Sequence, residues 1–229
     1  MNLLHEFATA SARITTRHRD FLVSAGVLQV DATHTSSIGW RLVGGHLEPV
    51  PAEPQTYTAR RLVGWSQVWA DPAGGAGLSG AFEPVSDAPQ SPGTESVKAF
   101  IVPVGSPDSD TGMWAEVWDL CAFNLARPGH WWLRSGLAEM IGEDYVADCV
   151  ETGAAVRLVA TPLDWLRAGG RAACVLDWSR IDPRAAFAGC SRVEPAAPDL
   201  GRTLKARIRQ LARAPFVIGE AAATETAHA

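Results

Sequence analysis

Lysine is nearly missing from this sequence: of its 20 basic residues only Lys98 and Lys205 are lysines, and the rest are arginine. Set beside abundant alanine, glycine and proline, this reflects a GC-rich coding bias, so arginine content by itself is no phosphate-binding signal. Cysteine is also scarce. The four cysteines, Cys121, Cys149, Cys174 and Cys190, form no CxxC pair and have no histidine at zinc-ligand spacing. That spacing excludes the common structural zinc modules. Cys121 and Cys174 lie inside apolar runs and read as small core residues. No hydrophobic run approaches the ~18 residues of a membrane span. The N-terminal segment is charged throughout and lacks an apolar signal core. A cytoplasmic location with free thiols is the expectation. The Gly-rich "GGAGLSG" lacks the Gly-Lys-Ser/Thr ending of a phosphate loop.

What is present is a chain of 229 residues, 47% hydrophobic and 20% charged, with net charge −5. It is long enough for one large domain or two small ones. The mild acidity provides no global attraction to nucleic acid or anionic lipid, which leaves only a local basic patch for such binding.

Residues 1–26 form an expected amphipathic helix, with Leu3, Phe7, Ala10, Ile14 and Phe21 on one face and Gly26 at its end. Residues 27–150 read as β-rich, with a Gly44–Gly45 turn, a strand over 58–70 and a Gly/Pro-rich loop over 71–95. "SVKAFIVPV" is a strand, and "MWAEVWDLCAFNL" fits either a helix face or the second strand of a hairpin. Its β-branched and aromatic content and the short turn before it favour the hairpin. "ARPGHWWLRSG" reads as a loop, followed by one or two short helices ending at Gly153. Residues 214–229 lack periodicity and read as a disordered tail.

The most organised stretch is "VRLVATPLDWLRAGGRAACVLDW", a strand, a helix and a second strand. Thr161 supplies a cap hydroxyl, and Pro162 suits the first helical position. Asp164 can reach back to the cap amide and favours the positive end of the helix dipole. Gly169–Gly170 stop the helix. This order implies parallel strands, and it sets Asp164 and Asp177 at their carboxyl edge, where open α/β sheets place sites. The fold class is therefore mixed α/β (α+β), with a β-rich N-terminal half and a parallel strand–helix–strand unit in the C-terminal half.

This unit, followed by "RVEPAAPDLGRTLKARIRQLAR", resembles the toprim fold of primases, topoisomerases and related nucleases over residues 155–213, about a quarter of the chain. In that family a Glu–Gly pair ends the first strand and an Asp follows three residues after the Gly. Asp-x-Asp ends a later strand, and Ala–Gly opens the next helix. The carboxylates bind magnesium for phosphoryl transfer. The family Asp falls on Asp164, and Ala–Gly falls on Leu200–Gly201. The departures are large. Ala160–Thr161 replaces Glu–Gly, and near the Asp-x-Asp position stand only Glu194 and Asp199, with Pro195 and Pro198 between them.

The resemblance thus implies a degenerate, non-catalytic toprim-like unit over 151–213 without a bound cofactor. It would be an accessory of replication from a mobile element, whose partner is nucleic acid or a replication protein. Two other readings stay open. One is a magnesium-dependent phosphoryl-transfer enzyme using Asp164 and Asp177. The other is a protein–protein interaction module with exposed tryptophans.

Three further candidates come from the residues themselves. Trp131 and Trp132, flanked by Arg127 and Arg134, can stack bases, although tryptophans more often fill a core. His130 beside them is a candidate general base, with no nucleophile motif to serve. On the last helix Arg202, Arg209 and Arg213 share a face opposite Leu204, Ile208 and Leu211, with Lys205 close by; this is a phosphate-contacting strip or simply a solvated face.

Overall fold

A computed structural model describes residues 2–27, 39–43, 46–50, 62–70, 80–85, 93–107 and 114–213. The tail expected over 214–229, the Gly44–Gly45 turn and most of the Gly-rich loop lie outside the described residues. Among the described residues no helix is long and apolar enough to cross a membrane.

The N-terminal segment is two helices, α1 (Leu3–Ala12) and α2 (Thr16–Ser24), where a single helix was expected. The break is a reciprocal cap. The His18 amide donates to the Thr15 hydroxyl, and the Thr15 amide donates to His18 Nδ1 at 3.2 Å. This capping box starts a new helix at residue 16. Leu3, Phe7, Ala10 and Ile14 are buried as the periodicity requires. Beyond the break the apolar face turns: Phe21 is 47% exposed and Leu22 is buried instead.

Strands β1 (Gly39–Val43) and β2 (His46–Val50) pair as an antiparallel hairpin. Five further strands close into a barrel: β3 (Gly64–Ala70), β4 (Gly80–Pro84), β5 (Glu95–Pro107), β6 (Trp114–Asn124) and β7 (Arg127–Leu133). The ring order is β3-β4-β7-β6-β5, antiparallel except where β4 meets β7 in parallel. The ring closes through two pairs only, Gly80 with Trp132 and Ala81 with Leu133. The β5–β6 hairpin matches the expected strand over 114–124.

Two segments expected to be loops are strands. β4 falls inside 71–95, and "RPGHWWL" is β7, paired on both sides. Pro128 and Gly129 stand near the start of that strand, where a missing donor is tolerated.

The C-terminal sheet has order β11-β9-β10-β8. It comprises β8 (Met140–Ile141), β9 (Val156–Val159), β10 (Ala173–Val175) and β11 (Val193–Pro195). β9, β10 and β11 are parallel, and β8 runs antiparallel beside β10. Four helices complete the unit: α3 (Glu143–Thr152), α4 (Pro162–Arg167), α5 (Pro183–Ala186) and α6 (Pro198–Arg213). β8 and α3 belong to it, so its core begins at Met140, upstream of the boundary at 151 that the sequence suggested. Gly142, at the start of α3, has φ +87° and its backbone lies against Ala172 O; an added Cβ would sit 2.2 Å from that oxygen.

The sheet's two faces serve two cores. Ile141, Val159, Cys174 and Leu176, with Leu163, Trp165 and Leu166 of α4, join the barrel interior. Met140, Val156, Leu158, Ala173 and Val175 pack instead with Val146 of α3 and with Leu200 and Leu204 of α6. The period of two along each strand makes this division. The whole is a mixed α+β architecture in which α4 lies between barrel and sheet.

Candidate functional site

The start of α4 has the expected chemistry with one difference. Thr161 is the extended N-cap (φ −137°, ψ 156°), and Pro162 opens the helix. The Asp164 amide donates to Thr161 Oγ1 at 3.1 Å, and that hydroxyl donates to Asp164 Oδ2 at 2.7 Å. The carboxylate therefore grips the cap hydroxyl, where the cap amide was expected. Its other oxygen accepts from Arg167 Nη1 at 2.8 Å. Arg167 Nε donates to the Ala25 carbonyl, which fastens α4 to the end of α2.

Asp177 is buried just past β10, and its Oδ1 accepts from the Ser179 amide at 2.8 Å and the Ser179 hydroxyl at 2.6 Å. Burial pushes its pKa up. The Ser179 hydroxyl and amide, the Arg180 amide and the Arg180 charge outweigh burial and hold it below the ordinary value. It is an ionised turn-former. Glu194 pairs with Arg192, and Asp199 pairs with Arg202. Among the described residues no three His, Cys, Asp or Glu side chains gather as a metal-ion set.

The crevice of this sheet lies where β9 and β11 run side by side. β9 leads into α4 on the barrel face, while β11 leads into α6 on the opposite face. Such a divergence at neighbouring carboxyl ends is where doubly covered sheets hold ligands. The residues that follow the two strands are Ala160 and Thr161, and Ala196 and Ala197. None of the four is ionisable; the carboxylates of this edge, Asp164 and Asp177, stand further along and are engaged by Thr161 and Arg167 and by Ser179.

The tryptophan pair corrects the base-stacking expectation. Trp131 and Trp132 are 4% and 6% exposed, both in the larger buried cluster and, as neighbours in a strand, on opposite faces of β7. Trp131 Nε1 donates to Leu176 O at 3.1 Å. Buried rings offer no face to a base, so the tryptophans fall to the core role that such residues take more often. His130 precedes them in β7, half-buried. Cys121, Cys149 and Cys174 are buried free thiols, and burial raises the pKa of Cys121 and Cys174. Neither is an activated nucleophile.

α6 divides its residues as its periodicity requires. Leu200, Leu204 and Ile208 face the second core, while Arg202, Lys205 and Arg209 are exposed on the outer side. Seven residues separate Arg202 from Arg209, nearly two full turns, so they stand one above the other. Arg213 is the last residue of the helix. Arg207 does a different job, donating through its guanidinium to the carbonyls of Ile181 and Ser179 and so docking α6 on that turn. The helix carries five basic residues against one acid, Asp199, in a chain of net charge −5.

One central residue was missed in the sequence. Asp119 in β6 is 0% exposed. Its Oδ1 accepts from the amides of Leu120 and Ser135 at 2.8 Å, and its Oδ2 from those of Leu137 at 2.8 Å and Ala138 at 2.9 Å. It thereby clamps the segment leading from the barrel into the sheet. The only signal was a carboxylate standing within the apolar run "VWDLCAF". Compared with family models, curated proteins and solved structures, the chain matches none of them.

Proposed function

We propose that this protein is a non-catalytic, nucleic-acid-associated accessory protein that contacts phosphates through the outer face of α6. The observation that carries this reading is the exposed row of Arg202, Lys205 and Arg209 on a strongly basic helix of an acidic chain. A local cationic ridge concentrates attraction where net charge gives none. The non-catalytic part of the reading leans on the local pairing of Asp164, Asp177, Glu194 and Asp199 with neighbouring side chains. In this reading the C-terminal unit is a toprim-like sheet that has lost its metal ligands, and its replication setting rests on that resemblance alone. Because Trp131 and Trp132 are buried, the contact is to phosphates and is indifferent to base sequence.

The test is fluorescence anisotropy with a labelled single-stranded oligonucleotide across a salt series. Three neutralised phosphates give a log–log salt slope of roughly −2, at ~0.7 per contact. Arg202→Gln, Lys205→Gln and Arg209→Gln together should flatten that slope while the thermal midpoint holds. Absence of binding at low salt, or a slope that survives the triple change, would refute the reading.

A further inference from the structure

We propose a second, independent site: a pocket at the barrel mouth, beneath α1, that binds a small carboxylate with a compact apolar body. α1 reaches the barrel at unusually short range. A Cβ on Gly64 would lie 2.7 Å from Ala10 Cβ and 2.8 Å from the α1 backbone, so only glycine lets the helix rest on β3 there. The buried stripe of α1, Leu3–Phe7–Ala10, fills the core beside that contact. The neighbouring stripe, Glu6, Thr9 and Arg13, spaced three and four apart, roofs a cavity of about 230 Å³. Its floor is Val68, Phe82, Ile101 and Leu120, all buried.

The size and the polarity of this space define its ligand. Apolar cavities of roughly 150 Å³ hold benzene, whereas drug-sized ligands need ~300 Å³ or more. A phenyl ring with a short substituent is the fitting scale. The polar lining is His5, Glu6, Thr9 and Arg13 of the α1 segment and Ser66 of β3. Arg13 Nη1 donates to Ser66 Oγ at 3.2 Å, and that hydroxyl donates to Gln67 O. Glu6 is neutralised by Arg134 Nε at 3.1 Å. Among the described residues Arg13 has no carboxylate partner. The pocket thus offers an apolar wall and one uncompensated cation at its rim, which is complementary to a monoanion and unfavourable to an amine.

The probes are 3-phenylpropionate, the neutral 3-phenylpropanol and the cationic 3-phenylpropylamine, titrated into the full chain by calorimetry and by methyl-resolved NMR. The acid should bind at least tenfold more tightly than the alcohol, as expected for one charge-assisted hydrogen bond of ~1.5 kcal/mol or more. It should shift the methyl signals of Val68, Ile101 and Leu120. Arg13→Gln should abolish the preference for the acid. Thr9→Trp, an exposed change on the roof that leaves the core intact, should block all three probes. Three results overturn the proposal: no acid binding at millimolar concentration, an acid affinity no better than the alcohol's, or binding that persists in Thr9→Trp.

Discussion

The indole nitrogen of Trp131 donates to the carbonyl oxygen of Leu176 across 3.1 Å, joining a barrel strand to the residue just past β10 of the C-terminal sheet. Both groups are buried. Trp165, equally buried in α4, has an indole nitrogen with no hydrogen-bond partner among the described residues. Two tryptophans in one core therefore stand in opposite polar circumstances.

Replacing each with phenylalanine isolates the hydrogen bond. Both changes remove the same atoms, but only Trp131→Phe leaves a buried carbonyl without its donor. Trp131→Phe should cost about 1–3 kcal/mol more than Trp165→Phe. Urea unfolding midpoints measure the difference, and equal costs would mean the bond across the two layers contributes nothing.

Asp119→Asn should be among the most damaging isosteric changes in the chain. An amide nitrogen in place of one carboxylate oxygen cannot accept. Either the Leu120 and Ser135 amides or the Leu137 and Ala138 amides then lose their acceptor. One buried and one part-buried donor left unsatisfied cost about 2 kcal/mol or more. Equilibrium denaturation should show that loss, and hydrogen exchange should localise it to 135–138; unchanged protection there would refute the clamp.

At the start of α4, Thr161→Ala should cost about 1 kcal/mol, since one hydroxyl both receives the Asp164 amide and holds its carboxylate. Asp164→Asn should cost less, about 0.5 kcal/mol, because the cap remains and the exposed Arg167 pair is weak. The reverse order in thermal melts would show that the carboxylate, not the hydroxyl, organises this turn.

His18 should make stability depend on pH. It stacks on Trp65 with ring centroids 4.4 Å apart. Burial and then the nearby Arg17 charge lower its pKa from 6.5, against a hydrogen bond to the Arg13 backbone that raises it. The unfolded chain then takes up the proton first as pH falls. The stabilisation is complete above 6.5 and is lost as pH drops through the lower folded value. Protonation also ends the acceptance from the Thr15 amide. His18→Gln keeps an acceptor at the same helical position and does not titrate. Between about pH 7.5 and about pH 5 the thermal midpoint should fall further in the parent than in this variant; parallel curves would sink the assignment.

Several elements were legible because they are local. Thr161, Pro162 and the glycines at 169 and 170 fix the ends of α4 through caps and backbone freedom that neighbouring residues decide. The four-residue spacing of Leu200, Leu204 and Ile208 fixes which side of α6 is buried, and so leaves Arg202, Lys205 and Arg209 in water. Alternation and turn chemistry sufficed for the β5–β6 hairpin.

What only the tertiary structure decided is where distant segments meet. Nothing near Trp131 and Trp132 distinguishes an exposed aromatic pair from a buried one. They are buried because both faces of β7 are covered by segments far apart in the chain, as the bond from Trp131 to Leu176 shows on one side. Asp119 looks like a misplaced charge until the amides of 135–138 arrive around it. The barrel-mouth pocket has no sequence signature, since Arg13, Ser66, Phe82 and Leu120 share a space only once the ring closes beneath α1. Periodicity and capping are set within a few residues, whereas burial and hydrogen-bond satisfaction are set by which strands close the ring and which face of the sheet the barrel covers.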